Sequence, residues 1–143
     1  MTIKETAGKT LLYFYQLQRT VPLTMRYRQL GFIERKNGVL FLTSDKKWLT
    51  NNLLDINPAS IDILNAFLFL IDKGLIQSKE RATAEARVYV GIQLTHKGID
   101  IVEGIESGAD GRESFNANFN IKVADGTSVE QLIDDNLGHL LSK

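Results

Sequence analysis

Residues 70–98 read LIDKGLIQSKERATAEARVYVGIQLTHKG, and the fold turns on how this stretch is parsed. An apolar helical run stops at Gly74, the residue type that most easily takes the left-handed conformation closing a helix. Leu75-Ile76-Gln77-Ser78 then reads as a short strand, Lys79–Ala86 as a polar loop, and Arg87–Leu94 as a second strand. In that second strand Val88, Val90, Ile92 and Leu94 alternate with Arg87, Tyr89, Gly91 and Gln93, the period of a half-buried strand. Two such strands predict an antiparallel ribbon. Thr95 is placed to cap a following helix through about Ile105, with Ile99, Ile101 and Val102 on its buried side.

Upstream, Asp55-Ile56-Asn57-Pro58 is turn chemistry, and Pro58 suits a first helical position, so a helix is expected from Pro58 to Lys73. Thr43 or Ser44 caps a preceding helix reaching Asn52 or Leu54, with Trp48, Leu49 and Leu53 on its apolar side; Trp48 reads as core. Two helices joined by a short turn form a helix-turn-helix. Before them, Phe32–Arg35 and Val39–Leu42 flank Lys36-Asn37-Gly38, a hairpin signal, and Thr24–Leu30 reads as a short basic helical turn closed by Gly31. From Lys4 to Arg19, Ala7, Leu11, Leu12, Phe14, Tyr15 and Leu17 recur at helical spacing and predict the first helix.

Helix, hairpin, helix, turn, helix, two-stranded ribbon and helix together resemble the winged helix-turn-helix superfamily. Leu94-Thr95-His96-Lys97-Gly98 is similar to the L-T-x-K-G segment where the second wing strand enters the closing helix in regulators such as MarR and PadR and in small phage-type domains similar to YjcQ. Leu70–Ile76 likewise resembles the passage from their third helix into the wing. The resemblance spans about residues 4–106 and implies an α+β winged-helix domain, with Pro58–Lys73 as recognition helix and Lys79–Arg87 as wing. It further implies a bacterial or phage DNA-binding regulator of transcription, dimeric and cytoplasmic.

The charge distribution bears on that expectation. The 143 residues carry 17 basic and 17 acidic side chains, yet residues 1–50 hold nine basic against three acidic while the remainder is acidic by the same margin. The strongest basic cluster is Arg26, Arg28, Arg35, Lys36, Lys46 and Lys47; the wing adds Lys79, Arg81 and Arg87 against Glu80 and Glu85. Projected at about 100° per residue, the polar stripe of the expected recognition helix is Asp62, Asn65, Phe69, Asp72 and Lys73. Ser60, Asn65 and Lys73 are its candidate DNA contacts, Asn being suited to adenine. Duplex DNA is therefore the expected partner, and a protein-interaction module on the same fold is the alternative.

Beyond the domain of residues 1–106, Gly104–Gly111 has a linker's composition, and residues 107–111 are taken as the joint. In residues 112–143, Phe115, Ala117, Phe119, Ile121 and Val123 alternate with Asn116, Asn118, Asn120 and Lys122, which predicts a strand. Thr127-x-x-Glu130 reads as a capping box opening a helix with Val129, Leu132, Ile133, Leu137, Leu140 and Leu141 on one face. This strand-helix extension needs a partner. Self-association through Phe115, Phe119, Ile121, Val123, Leu132, Ile133, Leu137 and Leu140 is the favoured reading, with docking inside the chain as the alternative.

Other chemistry finds little footing. With 43% hydrophobic residues and two Pro the chain builds its own core, and the absence of Cys removes disulfides and thiolate chemistry. No apolar run reaches membrane-spanning length, and the first ten residues lack the apolar stretch of a signal peptide. His96 and His139 stand 43 residues apart, and no phosphate-binding glycine loop is present. No catalytic residue, metal or cofactor is expected.

Overall fold

The structure, a computed structural model, describes residues 2–20, 29–35, 38–42, 60–82 and 87–141. The order is α1 (Ile3–Thr20), β1 (Gln29–Arg35), β2 (Gly38–Leu42), α2 (Ser60–Asp72), β3 (Ile76–Ala82), β4 (Arg87–Leu94), α3 (His96–Glu103), a 3-10 turn (Gly104–Glu106), α4 (Ala109–Phe119) and α5 (Val129–Leu141). The fold is α+β. The helix expected from Thr43 or Ser44 to Leu54, with Trp48, lies outside the described residues.

Helix α1 is covered on all sides along its middle. Leu11, Leu12, Tyr13 and Phe14 are at most 1% exposed and Tyr15 7%, and five consecutive residues pass every direction around a helix. Thr6 and Thr10 are buried too, and their hydroxyls donate to the carbonyls of Thr2 (3.0 Å) and Thr6 (2.7 Å). The covering elements are α2 and β4 together with α3, α4 and α5.

The strands form one antiparallel sheet of order β2-β1-β4-β3. Strand β1 joins the hairpin to the ribbon, pairing with β2 on one edge and with β4 on the other. Three expectations change here. Gly31 lies inside β1 opposite both Leu42 and Val88, so it closes no helix, and Gln29 and Leu30 are strand residues. Strand β3 continues to Ala82, which places Lys79 and Arg81 in the ladder rather than in a loop. The even alternation of β4 is broken, because Gln77 pairs with Gln93 but Lys79 pairs with Val90. Gly91 and Ile92 thus stand opposite Ser78, and Gly91 has φ 64°, the geometry of a glycine bulge. The bulge sends Tyr89 (4% exposed) to the core side with Ile92 and Leu94, and Val90 to the other face.

The C-terminal extension departs most from expectation. Residues Ala109–Phe119 are helical, not a strand, and Phe115 and Phe119 meet as an i, i+4 pair with ring centroids 4.9 Å apart. Asn120 ends α4 in the left-handed region (φ 52°), its N–H bonded to the Asn116 carbonyl at 2.7 Å. Beyond it the chain forms neither helix nor strand up to α5, with Ile121 buried, Lys122 exposed and Val123 packed on the core. The apparent alternation therefore joined a helical pair of Phe to Ile and Val in the irregular segment that follows. The expected linker is also structured: α4 begins within it, and a Cβ at Gly111 would overlap the Gly104 carbonyl. Helix α5 is capped one residue later than expected, the Ser128 hydroxyl accepting from the Gln131 N–H at 3.0 Å.

This extension docks on its own chain. Phe115, Phe119, Leu132, Ile133 and Leu137 are at most 3% exposed and Ile121 9%, with Val123 half-buried. Six of the eight residues assigned to self-association are thus consumed within one copy and Val123 partly so, while the Leu140 side chain lies outside the described residues. Contact with α1 is close. A Cβ at Gly8 would stand 2.7 Å from both Ile121 Cδ1 and Phe119 Cβ. Gly8→Ala is expected to lower unfolding stability by about 1–3 kcal/mol through overpacking, read by chemical denaturation; an unchanged midpoint would contradict this crossing.

Candidate nucleic-acid interface

Helix α2 is held by its inner face. The Phe67 ring stands edge-on to Phe14 (6.1 Å, 63°) and to Tyr89 (5.1 Å, 64°), tying α2 to α1 and to the bulged strand β4. Leu64, Ala66 and Leu70 are buried beside it. This seating leaves Asn65, Asp72 and Lys73 exposed and Phe69 half-buried on the outward side, as the helical projection predicts. The Lys73 ammonium lies 5.6 Å from the centre of the Phe69 ring, a distance suited to cation-π attraction.

The end of α2 is tied to the start of α3. The Lys97 ammonium donates to the Lys73 carbonyl at 3.1 Å, and the Thr95 hydroxyl donates to the Gly74 carbonyl and accepts from the Gly98 N–H at 3.0 Å. Gly74 has φ 71°, as a left-handed helix end requires. At Gly98 any Cβ would overlap the Leu75 carbonyl. The Thr95-His96-Lys97-Gly98 motif is therefore a knuckle fixing where the ribbon leaves α2. Lys97 had no assigned role in the sequence, since its acceptor is a main-chain carbonyl 24 residues away.

On the ribbon, Lys79 and Arg81 are exposed and share the β3 face that carries Val90 of β4, while Glu80 pairs with Tyr89 on the other face. Arg87 opens β4, Ser60 opens α2 and Arg35 ends β1, their side chains lying outside the described residues. Arg26, Arg28, Lys36, Lys46 and Lys47 also lie outside them. The described candidates thus fall into two groups, Asn65 and Lys73 on α2, and Lys79 and Arg81 on the β3–β4 ribbon.

A separate polar cleft of about 590 Å³ runs between α1, the 3-10 turn and the start of α5, lined by Tyr15, Arg19, Glu103, Glu106, Ser128, Val129 and Glu130. Tyr15, which the sequence places simply on an apolar stripe, donates its hydroxyl to Glu103 Oε2 at 2.7 Å. Glu106 accepts from the Val129 N–H at 2.8 Å, and Arg19 stands 3.7 Å from Glu130 and 5.6 Å from the Tyr15 ring centre. These contacts tie α5 to the body. Among the described residues no group of three or more His, Asp and Glu is placed to hold a metal, and no helix is long and apolar enough to cross a membrane. No protein-family model, curated protein or solved structure matches the chain.

Burial, followed by the bond to Glu103 and that carboxylate's charge, pushes the Tyr15 phenol up from 10.0 to about 12. Folding therefore favours the neutral phenol. Its contribution is whole below pH 10 and is lost as pH rises toward about 12. The stability difference between the wild type and Tyr15→Phe, measured by urea unfolding, is expected to shrink across that alkaline window; a constant difference would contradict the assignment.

Proposed function

We propose that the chain is a winged-helix DNA-binding protein, a small cytoplasmic regulator of bacterial or phage type, with α2 as recognition helix and the β3–β4 ribbon as wing. The observation that carries this reading is the seating of α2: its apolar side is taken by Phe14 and Tyr89, and its polar line with Asn65 and Lys73 is left outward. The pairing of β1 with β4 supports it, since a strand that precedes α2 in the chain then flanks the β3–β4 ribbon. Lys79 and Arg81 supply phosphate contacts on the wing, and the basic segment of Arg26, Arg28, Arg35, Lys36, Lys46 and Lys47 supplies the remaining positive charge. Among the described residues, docking of the extension within one chain takes up the apolar side chains that suggested a dimer.

The exposed carboxylates favour a second reading. Asp72 lies on the outward side of α2, and Asp134 and Asp135 are exposed on α5, an arrangement that suits a protein-interaction module.

The readings separate by salt. Fluorescence anisotropy with a labelled duplex of mixed sequence is expected to show binding at about 50 mM salt that falls steeply toward about 200 mM. Lys79→Ala and Arg81→Ala should each reduce the log–log salt slope by roughly 0.9 and weaken all sequences alike. Absence of duplex binding at the lower salt would overturn the DNA reading and leave the protein-interaction module.

A further inference from the structure

Helix α2 is unusual for a DNA-reading helix in what it lacks. Its 13 residues, SIDILNAFLFLID, contain no Arg, Lys, His or Gln. Guanine is most often read in the major groove by Arg or Lys reaching O6 and N7, and adenine by the amide of Asn or Gln reaching N6 and N7. The helix carries one amide, Asn65, and it is exposed. Four residues on, and on the same side, stands Phe69, half-buried with its ring beneath the Lys73 ammonium. A phenyl group is one of the apolar partners that the thymine C5-methyl accepts.

Resting on the DNA reading above, we infer that α2 selects an A·T-rich major-groove segment, Asn65 pairing with an adenine edge and Phe69 packing on a thymine methyl. Four helical residues advance about 6 Å. Successive base pairs advance about 3.4 Å. The two side chains therefore meet bases about two pairs apart, and the selected feature is a short run of A·T pairs. Lys73, exposed one turn beyond, sits at the edge of this line with its ammonium 5.6 Å from the Phe69 ring centre. Asp72, exposed on the same side, repels phosphate and bounds the reading line at its C-terminal end.

Base analogues test this without disturbing the protein. Four labelled 20-base-pair duplexes with common flanks carry an A·T core, a G·C core, the A·T core with 7-deazaadenine, or the A·T core with uracil in place of thymine. Wild-type protein is expected to prefer the A·T core over the G·C core by on the order of tenfold. Loss of the adenine N7 should remove most of that preference, and loss of the thymine methyl should weaken binding to the A·T core. Asn65→Ala, at an exposed position, should bind the A·T and 7-deazaadenine cores equally while keeping the wild-type salt slope. Equal wild-type affinity for the A·T and G·C cores, or an undiminished preference in Asn65→Ala, overturns the inference and leaves the phosphate-based reading standing. An indifferent response to uracil overturns the part assigned to Phe69. Failure to bind any of the four duplexes at low salt overturns the DNA reading as well.

Discussion

Leu11 to Tyr15 of α1 are five successive buried residues, and a helix that is apolar in every direction has to be covered in every direction. The sheet and α2 do not surround it, and the extension completes the cover. Phe115, Phe119, Val129, Leu132, Ile133 and Leu137 are its anchors, and burial of a large apolar side chain contributes roughly 1.5–3 kcal/mol. A segment of the same chain meets α1 at a far higher effective concentration than a second copy would. Close approach at Gly8 lets the extension cross the start of α1, and the Glu106 carboxylate at the Val129 N–H fixes the entry of α5.

The same helix positions the outward face of α2. Phe14 of α1 meets Phe67 of α2, and Phe67 meets Tyr89 of β4, so one aromatic chain joins α1, α2 and the ribbon. Tyr89 reaches that position because the Gly91 bulge reverses the facing of the outer half of β4. A residue with a Cβ at Gly91 would resist the left-handed conformation. The knuckle at Thr95 and Gly98 then holds the start of the closing helix against the end of α2.

Much of this was legible in the sequence. Periodicity located α1 and β4, the Asn37-Gly38 signal between two β-prone runs located the hairpin strands, and the Leu94–Gly98 motif located the start of α3 through residues whose roles are steric and local. The bulge was hidden because Gly91 satisfies the polar position of an alternating pattern while its conformation reverses that pattern. The extension misled for a related reason: Phe115 and Phe119 fit spacing two as well as spacing four, and Asn120 marks where the period changes. Its destination was written elsewhere, in the unbroken apolar run Leu11–Tyr15, which only a second covering layer satisfies. The Tyr15–Glu103 bond spans 88 residues and carries no local signal.

On the proposed reading, the outward line of α2 and the Lys79 face of the β3–β4 ribbon form the binding surface, while the extension packs on α1, α3 and the 3-10 turn and takes no part in binding. A ¹⁵N–¹H correlation titration with duplex DNA tests it most directly. Among the described residues the resonances of Asn65, Phe69, Lys73, Lys79 and Arg81 are expected to shift, while those of α4 and the acidic side of α5 stay in place. Shifts confined to Glu130, Asp134 and Asp135, or none on α2 and the wing, would contradict it.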